Sequence, residues 1–574
     1  MNILNQTNTI RLFKRIFDSR NSTETIIPYY AQKREFSFGE NEDSVYFKND
    51  TIDSKHLMSF LKDIESDESV NIHNICISVC GKTVFKFSTP YHNTKIPHAV
   101  HSASKSITSL ACGILISQNK LSLNDKLCDI LPEIYNPITK FVQKNITVEN
   151  LLTMSTGVGF NETEVYSDEF YDKAFALSPL SFVPGTAFSY NSLNSYMLGR
   201  IVEKISGLKL SDFVNKNIFG PLGITNYYWE ECPKGHTKGG WGLYLSCEDM
   251  LKIGNLYLQD GIYENKQIVS KEWINEATKK RMSAPLELGD FDYGYHIWVA
   301  RDKSCFLING MFGQNVFCFP NNHICVATTG GIDDFFQMNN LYKIVKKHFS
   351  SVIGKKSTVI SDFKFKSYLK NLSQNYHSVK CKSNTLKFSR QFKKICNRSY
   401  NIVSSNYVSV GIMPLVLQIL QNNYTKGITK IGFKREKHLN YIVINENDNV
   451  YNIPINDKAV SYTKLDFNKE IYNVAVISDF ALNQFGELVL KIKLDFNETA
   501  STRYINITFH NNHIKIALSE TPELEFLFAN MNYFLKSVSL KSVRDAIVSG
   551  FDSDISKSIY DNVFNPKLKG KLNT

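Results

Sequence analysis

The chain has 574 residues, of which 43% are hydrophobic, so it is long enough and apolar enough to form more than one buried core. Its formal net charge of +11 is spread along the sequence, without the long basic tracts or zinc-finger spacings typical of nucleic-acid binding, so we expect no nucleic-acid partner. No apolar run approaches the ~20 residues of a membrane-spanning helix, and the N-terminal stretch has no apolar signal-peptide core, so we expect a cytoplasmic protein without a membrane partner.

The predicted elements begin after a polar segment. Residues 1–52 have a mixed composition, and we interpret them as an N-terminal lead-in. A helix is predicted near 54–65. Two runs of alternating residues, NICISVC and TVFKFS, follow and are separated at Gly81-Lys82, which predicts a β-hairpin.

Helical signals dominate the middle of the chain. The segment from about 102 to 118 is apolar on nearly every face, which predicts a helix buried inside a domain. Ser192 is predicted to cap a helix that runs to Ser206 and is closed by Gly207. Ser246, with an acidic residue three positions later, predicts the start of another helix, over 250–258.

Short apolar runs replace the helical spacing between 293 and 329. These runs are YGYHIWVA, SCFLIN, QNVFCF and HICVATT, with turn residues between them. Consecutive strands joined by tight turns favour antiparallel pairing, and a helix is predicted at about 333–348. The hairpin, the helices and these strands together predict one α+β domain over 53–350.

The composition then changes again. Residues 351–400 are rich in Lys, Ser and Asn, and we interpret them as a linker. Residues 401–535 contain β-like runs such as YIVIN and ELVLKIKL, which predict a small second β domain. The polar residues 536–574 predict a helical tail.

The cysteines do not indicate a metal site. Several of the 11 cysteines stand inside apolar runs, so we expect them to be reduced thiols in the core. Cys76 with Cys80, and Cys232 with His236, have ligand-like spacings, but neither pair has the second pair that a zinc tetrahedron needs. We therefore predict no metal and no other cofactor.

A serine and a lysine stand at the start of the predicted buried helix. Ser102 and Lys105 are three positions apart, so they share one helix face. Apolar packing lowers the pKa of a lysine, and its neutral amine can then accept the proton of a neighbouring hydroxyl. A solvated lysine at a helix start is the alternative, since the same spacing recurs at Ser59, Ser117, Ser206, Ser361, Ser367 and Ser461.

The surrounding sequence resembles a known superfamily. HSASKSITSLACGILISQNKLSLNDKL resembles the active-site segment of the serine β-lactamases and penicillin-binding proteins, whose Ser-x-x-Lys motif opens the central helix. Further segments resemble motifs of that superfamily in its order: VENLLTMSTGVGF, FSYNSLNSYMLGRIVEKISG, WGLYLSCEDMLKIGNLYLQDG with KQIVSKEWINEAT, and NGMFGQNVFCFP. The layout is similar to class C β-lactamases and to the branch of esterases and 6-aminohexanoate-dimer hydrolases.

The resemblance implies a fold and three catalytic roles. The fold is α+β, with a β-lactamase-like antiparallel sheet flanked by helices and followed by a smaller C-terminal β domain. Ser102 would be the nucleophile, Lys105 its proton acceptor and Tyr190 the second general acid/base. Ser192 stands where the β-lactamase form of the tyrosine motif has asparagine, and is a candidate substrate-binding residue.

The last motif implies an oxyanion hole and a departure from penicillin recognition. The backbone near Gly310 and Met311, with the N–H of Ser102, would bind the oxyanion. Penicillin-recognising enzymes carry Lys-Thr-Gly or His-x-Gly at this edge strand, whereas this chain has Asn309-Gly310-Met311 without a cation.

These features lead to one preferred function and two alternatives. We expect a serine hydrolase that cleaves a small-molecule ester or amide through an acyl-enzyme. A β-lactamase or D-alanyl peptidase is the second hypothesis, and a catalytically silent binding protein of the same fold is the third. The sequence leaves the substrate and the oligomeric state open.

Overall fold

A computed structural model describes residues 30–36, 45–48, 51–159, 170–336, 340–351, 358–377, 388–403, 411–456, 460–523 and 566–573. It divides into two compact units. The first unit comprises the described residues between 45 and 370, and the second comprises 30–36 and the described residues from 371 onward. No helix in these ranges has the length and apolar character needed to cross a membrane.

A nine-stranded antiparallel sheet forms the centre of the first unit. Its strands are β1 (Val45–Phe47), β2 (Ile72–Val79), β3 (Lys82–Ser88), β4 (Met282–Ser283), β5 (Phe291–Tyr293), β6 (Trp298–Ala300), β7 (Phe306–Gly310), β8 (Gln314–Phe319) and β9 (Ile324–Gly330). Their spatial order is β1-β3-β2-β9-β8-β7-β6-β5-β4. The sheet therefore joins the N-terminal hairpin to the later strands through the pairing of β2 with β9.

Helices flank this sheet. They are α1 (Ser54–Ser66), α2 (Ser104–Ser117), α3 (Leu127–Ile130), α4 (Pro137–Gln143), α5 (Val148–Leu152), α6 (Tyr171–Leu177), α7 (Ser192–Ser206), α8 (Leu210–Val214), α9 (Cys247–Leu258), α10 (Lys271–Ala277) and α11 (Asn340–Phe349). Helix α2 is buried from Ser104 to Leu115 and contacts α7, α8 and α10, while α9 packs on β2, β8 and β9. The all-round apolar pattern that predicts a buried helix is explained by this position.

Most predicted elements of the first unit are confirmed, with shifts at their ends. The hairpin turns at Cys80-Gly81, where both residues have positive φ, rather than at Gly81-Lys82. Ser246 accepts from the Asp249 N–H as predicted, but the helix already begins at Cys247. The last helix of the unit, α11, is described over Asn340–Phe349, and residues 333–336 of the predicted helix are not helical.

The cap of α7 differs from the prediction. The side chain of Asn191, not that of Ser192, accepts a hydrogen bond from the Leu193 N–H, at 2.9 Å. Asn191 has the extended backbone of a cap residue, and Ser192 is the first helical residue. Gly207 ends the helix with a φ of 73°, as expected of a C-terminal cap.

The second unit is built on a ten-stranded antiparallel sheet. Its strands are β10 (Ser399–Ile402), β11 (Lys430–Glu436), β12 (Leu439–Glu446), β13 (Asn449–Ile455), β14 (Ser461–Phe467), β15 (Glu470–Leu482), β16 (Leu488–Phe496), β17 (Thr502–Phe509), β18 (His513–Thr521) and β19 (Lys567–Leu572). The spatial order is β13-β12-β11-β10-β19-β18-β17-β16-β15-β14. The predicted α+β class, with flanking helices and a following β domain, is confirmed.

The segments expected to connect or follow the domains contain regular structure. The predicted linker, 351–400, includes α12 (Val359–His377), α13 (Phe388–Ile395) and the start of β10, and a further helix, α14 (Leu415–Gln421), follows. Most of the predicted tail, 536–574, lies outside the described residues, and its described end forms β19. Of the predicted lead-in, 1–52, the structure describes residues 30–36, 45–48, 51 and 52.

Candidate active site

Ser102 and Lys105 meet at the start of α2. Ser102 lies in a short 3₁₀ turn, His101–Ala103, that leads directly into the helix. The amine Nζ of Lys105 donates a hydrogen bond to Ser102 Oγ at 3.0 Å. Lys105 is 2% exposed, whereas Lys120, three positions after Ser117 and just beyond the end of the same helix, is exposed. Burial therefore distinguishes this pair from a solvated one.

The lysine has a second partner that the sequence analysis missed. Lys105 Nζ donates to the carbonyl oxygen of Gly240 at 2.8 Å, and Thr108 Oγ1 donates to the carbonyl of Gly239 at 2.6 Å. A Cβ at Gly240 would lie 2.8 Å from the carbonyl oxygen of Ser192, so glycine permits a close approach of this segment to the start of α7. The adjacent glycines before WGLYLS are the signal that could have found this segment.

Tyr190 faces the lysine from the residue before the cap of α7. Lys105 Nζ lies 5.0 Å from the centroid of the Tyr190 ring. That ring stacks on Trp298 at 6.1 Å and meets Phe336 edge-on at 5.4 Å. The Asn191 cap fixes the backbone directly after Tyr190, at the start of the helix. The structure thus brings Ser102, Lys105 and Tyr190 together from two distant segments of the chain.

The end of β7 lies against the segment that carries Ser102. A Cβ on Gly310 would be 2.1 Å from the carbonyl oxygen of Val100, which is two positions before Ser102. Met311 opens a tight turn in which Phe312 has a φ of 66° and donates its N–H to the Asp334 carbonyl at 2.7 Å. The absence of a Gly310 side chain therefore allows the strand end and the serine segment to touch.

Neither Ser192 nor the end of β7 places a charged side chain at the site. Ser192 is buried in the first turn of α7, where its carbonyl oxygen lies next to Gly240. Asn309 donates its side-chain amide to Asn315 at 3.0 Å inside the sheet. The residues Asn309, Gly310 and Met311 thus present no charged side chain at the end of β7.

Two histidines near Lys105 are held neutral. Burial, followed by the charge of His98 and then of Lys105, lowers the pKa of His101 to about 3. Burial, followed by the charge of Lys105, lowers the pKa of His296 to about 3 as well. Neither histidine therefore adds a positive charge near Lys105 at neutral pH.

The thiols and histidines considered as metal ligands have other contacts. Cys232 is buried with its Sγ 3.5 Å from the hydroxyl of Tyr196, and His236 Nδ1 lies 2.8 Å from a carboxylate oxygen of Glu203. Among the described residues, no group of three or more His, Cys, Asp or Glu side chains is arranged to hold a metal ion.

Comparison with known proteins identifies relatives of this chain. The chain is 30% identical over 151 residues to lovastatin esterase of Penicillium rubens, covering 22% of this chain and 37% of that protein. It is 28% identical over 142 residues to esterase EstB of Burkholderia gladioli, covering 21% and 36%. The chain thus spans little more than a third of the length of these two curated relatives.

A solved structure and a family model complete the comparison. The octameric penicillin-binding protein homologue from Pyrococcus abyssi is similar at 18% identity and a TM-score of 0.40, covering 81% of this chain and 98% of that one. The family model described as Beta-lactamase matches residues 74–330, which include β2, α2, α7 and β7 to β9. Residues 74–330 of this chain therefore match the β-lactamase family, as the resemblance predicts.

Proposed function

We propose that the first unit is a serine hydrolase that cleaves an ester or amide through an acyl-enzyme on Ser102. The observation that carries the proposal is the 3.0 Å contact between Lys105 Nζ and Ser102 Oγ, made by a lysine that is 2% exposed. The family match and the esterases among the relatives support the same class of reaction.

In the acylation step, Lys105 acts as the proton acceptor. A buried amine loses hydration, which favours its neutral form. Neutral Lys105 takes the hydroxyl proton as Ser102 Oγ forms a bond to the carbonyl carbon of the substrate. The bond to the leaving alcohol or amine then breaks, and the leaving group receives the proton from the Lys105 ammonium through the Tyr190 hydroxyl.

In the deacylation step, water replaces the leaving group. Tyr190 and Lys105 accept a proton from the water as it attacks the acyl carbonyl, and Ser102 Oγ departs and regains its proton. Transfer of the Tyr190 proton to the neutral amine of Lys105 gives an ammonium beside the Tyr190 ring, which stabilises the phenolate that this step needs.

The negative oxygen that develops in both steps needs backbone donors. The N–H groups of Ser102 and Met311 are the proposed pair. The packing of Gly310 against Val100 supports this role, since it brings the end of β7 to the segment of the nucleophile.

The surroundings favour a neutral substrate with an apolar group. The uncharged end of β7 offers no cation for a substrate carboxylate, which favours a simple ester or amide over a penicillin or peptidoglycan peptide. The rings of Trp298 and Phe336 beside Tyr190 supply an apolar wall.

A fluorophosphonate probe and intact-protein mass spectrometry test the proposal. One adduct is expected on the wild-type chain and on Ser117→Ala, a control that removes an exposed Ser-x-x-Lys serine from the same helix. Ser102→Ala should stay unlabelled. An unmodified wild-type protein, or labelling that persists in Ser102→Ala, would contradict the mechanism.

Substrate panels separate the alternatives. We expect turnover of neutral esters well above that of nitrocefin. Nitrocefin turnover comparable to that of simple esters would instead support a β-lactamase, and no turnover across broad ester and amide panels would support a silent binding protein.

A further inference from the structure

His296 is a buried histidine in an unusual backbone conformation. It lies between β5 and β6, is 2% exposed and has a φ of 58°. The left-handed region is strained for a non-glycine residue, so a histidine persists there when its surroundings determine it. A glycine would meet the backbone requirement at lower cost, which directs attention to what the imidazole does.

The residue connects four parts of the first unit. Its N–H donates to the Leu152 carbonyl at 3.1 Å, and its carbonyl accepts from Ser106 Oγ of α2 at 2.7 Å. Its Nε2 lies 2.9 Å from Ser195 Oγ of α7, and its Nδ1 lies 3.5 Å from the hydroxyl of Tyr293. The residue therefore joins two helices: its backbone carbonyl contacts α2, and its imidazole contacts α7, the helix that follows Tyr190.

Ser195 leads from this histidine to the lysine. Its Cβ lies 3.2 Å from where a Cβ of Gly240 would stand, and its carbonyl oxygen lies 2.6 Å from the corresponding point at Gly239. The Gly240 carbonyl is in turn the 2.8 Å acceptor of Lys105 Nζ. A shift of Ser195 would thus move the group that orients the lysine.

We propose that His296 is a positioning residue that, through Ser195, holds the first turn of α7 and Gly239-Gly240 against α2 and so keeps Lys105 Nζ on Ser102 Oγ. This inference rests on the proposed hydrolase function. The imidazole also adds no positive charge near the amine at neutral pH. The ionisable groups that face Lys105 include Tyr190, His101 and His296, and Tyr293 faces the imidazole from its other side.

Three variants test the proposal, each in the full-length chain. His296→Gly suits the left-handed backbone and removes the imidazole. His296→Gln keeps an amide nitrogen that can reach the position of Nε2 but does not titrate. His323→Gly is the matched control, since His323 also has a positive φ, of 50°, but is exposed in a turn between β8 and β9.

The measurements are the rate of fluorophosphonate labelling at Ser102, kcat and KM for an ester, and the pH profile of labelling. We expect His296→Gly to label about 10- to 100-fold more slowly with KM little changed, because a small displacement of reacting groups is costly. The acid limb of the pH profile of labelling should move to higher pH, because water that enters the space vacated by the imidazole stabilises the Lys105 ammonium. His296→Gln should recover most of the rate, and His323→Gly should match wild type.

Ser195→Ala provides a second route to the same test. The double variant with His296→Gly should be no slower than the slower single variant, since both remove one connection. Wild-type labelling of Ser102 with unchanged rate and pH profile in His296→Gly would overturn the positioning role alone. Failure of the wild type to label would overturn the hydrolase function, and this inference with it.

Discussion

Gly310→Ala tests whether the contact between β7 and the serine segment controls catalysis. The backbone of Gly310 has φ −125° and ψ 146°, which any residue can adopt, so strain within the residue is not the issue. The obstacle is the carbonyl oxygen of Val100, which would lie 2.1 Å from the new Cβ. Non-bonded heavy atoms pack at about 3.5 Å or more, so the two backbones must separate by roughly 1.4 Å.

The consequence is expected in both stability and rate. Overpacking of this kind typically costs about 1–3 kcal/mol of unfolding free energy. A misplacement of about 1 Å between nucleophile and oxyanion donors can lower turnover by about 100-fold. Thermal unfolding and the rate of fluorophosphonate labelling at Ser102 measure the two effects separately.

Gly432→Ala is the matched control, because Gly432 also lies in a strand but a Cβ there meets its nearest atom at 3.6 Å. It should leave both quantities unchanged. Wild-type labelling and hydrolysis rates in Gly310→Ala would refute the reasoning, since they would show that the separation does not reach the reacting groups.

Three further predictions concern the lysine, the cap of α7 and the second unit. Lys105→Met should lower kcat/KM by about 100- to 10,000-fold, because the proton acceptor is lost. The melting temperature should not fall, since the buried methionine carries no charge to desolvate. Ester hydrolysis above a tenth of the wild-type rate would contradict the role of Lys105. Asn191→Ala should cost about 1 kcal/mol in thermal unfolding and slow labelling, with Asn191→Asp close to wild type in stability. Glu498 lies beside Arg34, and burial raises the pKa of its carboxyl group from 4.5 to about 7. Because the folded state holds this proton more tightly than the unfolded state, the contribution of Glu498 to folding stability is full below pH 4.5 and is lost as the pH rises through about 7. Hydrogen-exchange protection of β15 should therefore fall between about pH 5 and about pH 8, and Glu498→Gln should reduce that fall.

Several features of the site could be predicted because they depend on neighbours along the chain. The spacing of Ser102 and Lys105 places both on one helical turn, whatever surrounds that turn. The caps at Ser246 and Gly207, and the alternation in the strands, are likewise local patterns. The cap of α7 is Asn191 and not the predicted Ser192. Both residue types accept hydrogen bonds at a helix start, and the sequence does not show where the helical backbone begins.

The amino-acid sequence by itself determined the α+β class, the buried helix and the candidate residues Ser102, Lys105 and Tyr190. Only the tertiary structure decided which Ser-x-x-Lys lysine is buried, and which groups hold it. Gly240 and His296 lie 135 and 191 positions after Lys105 in the sequence, so no local pattern indicates that folding brings them to the lysine.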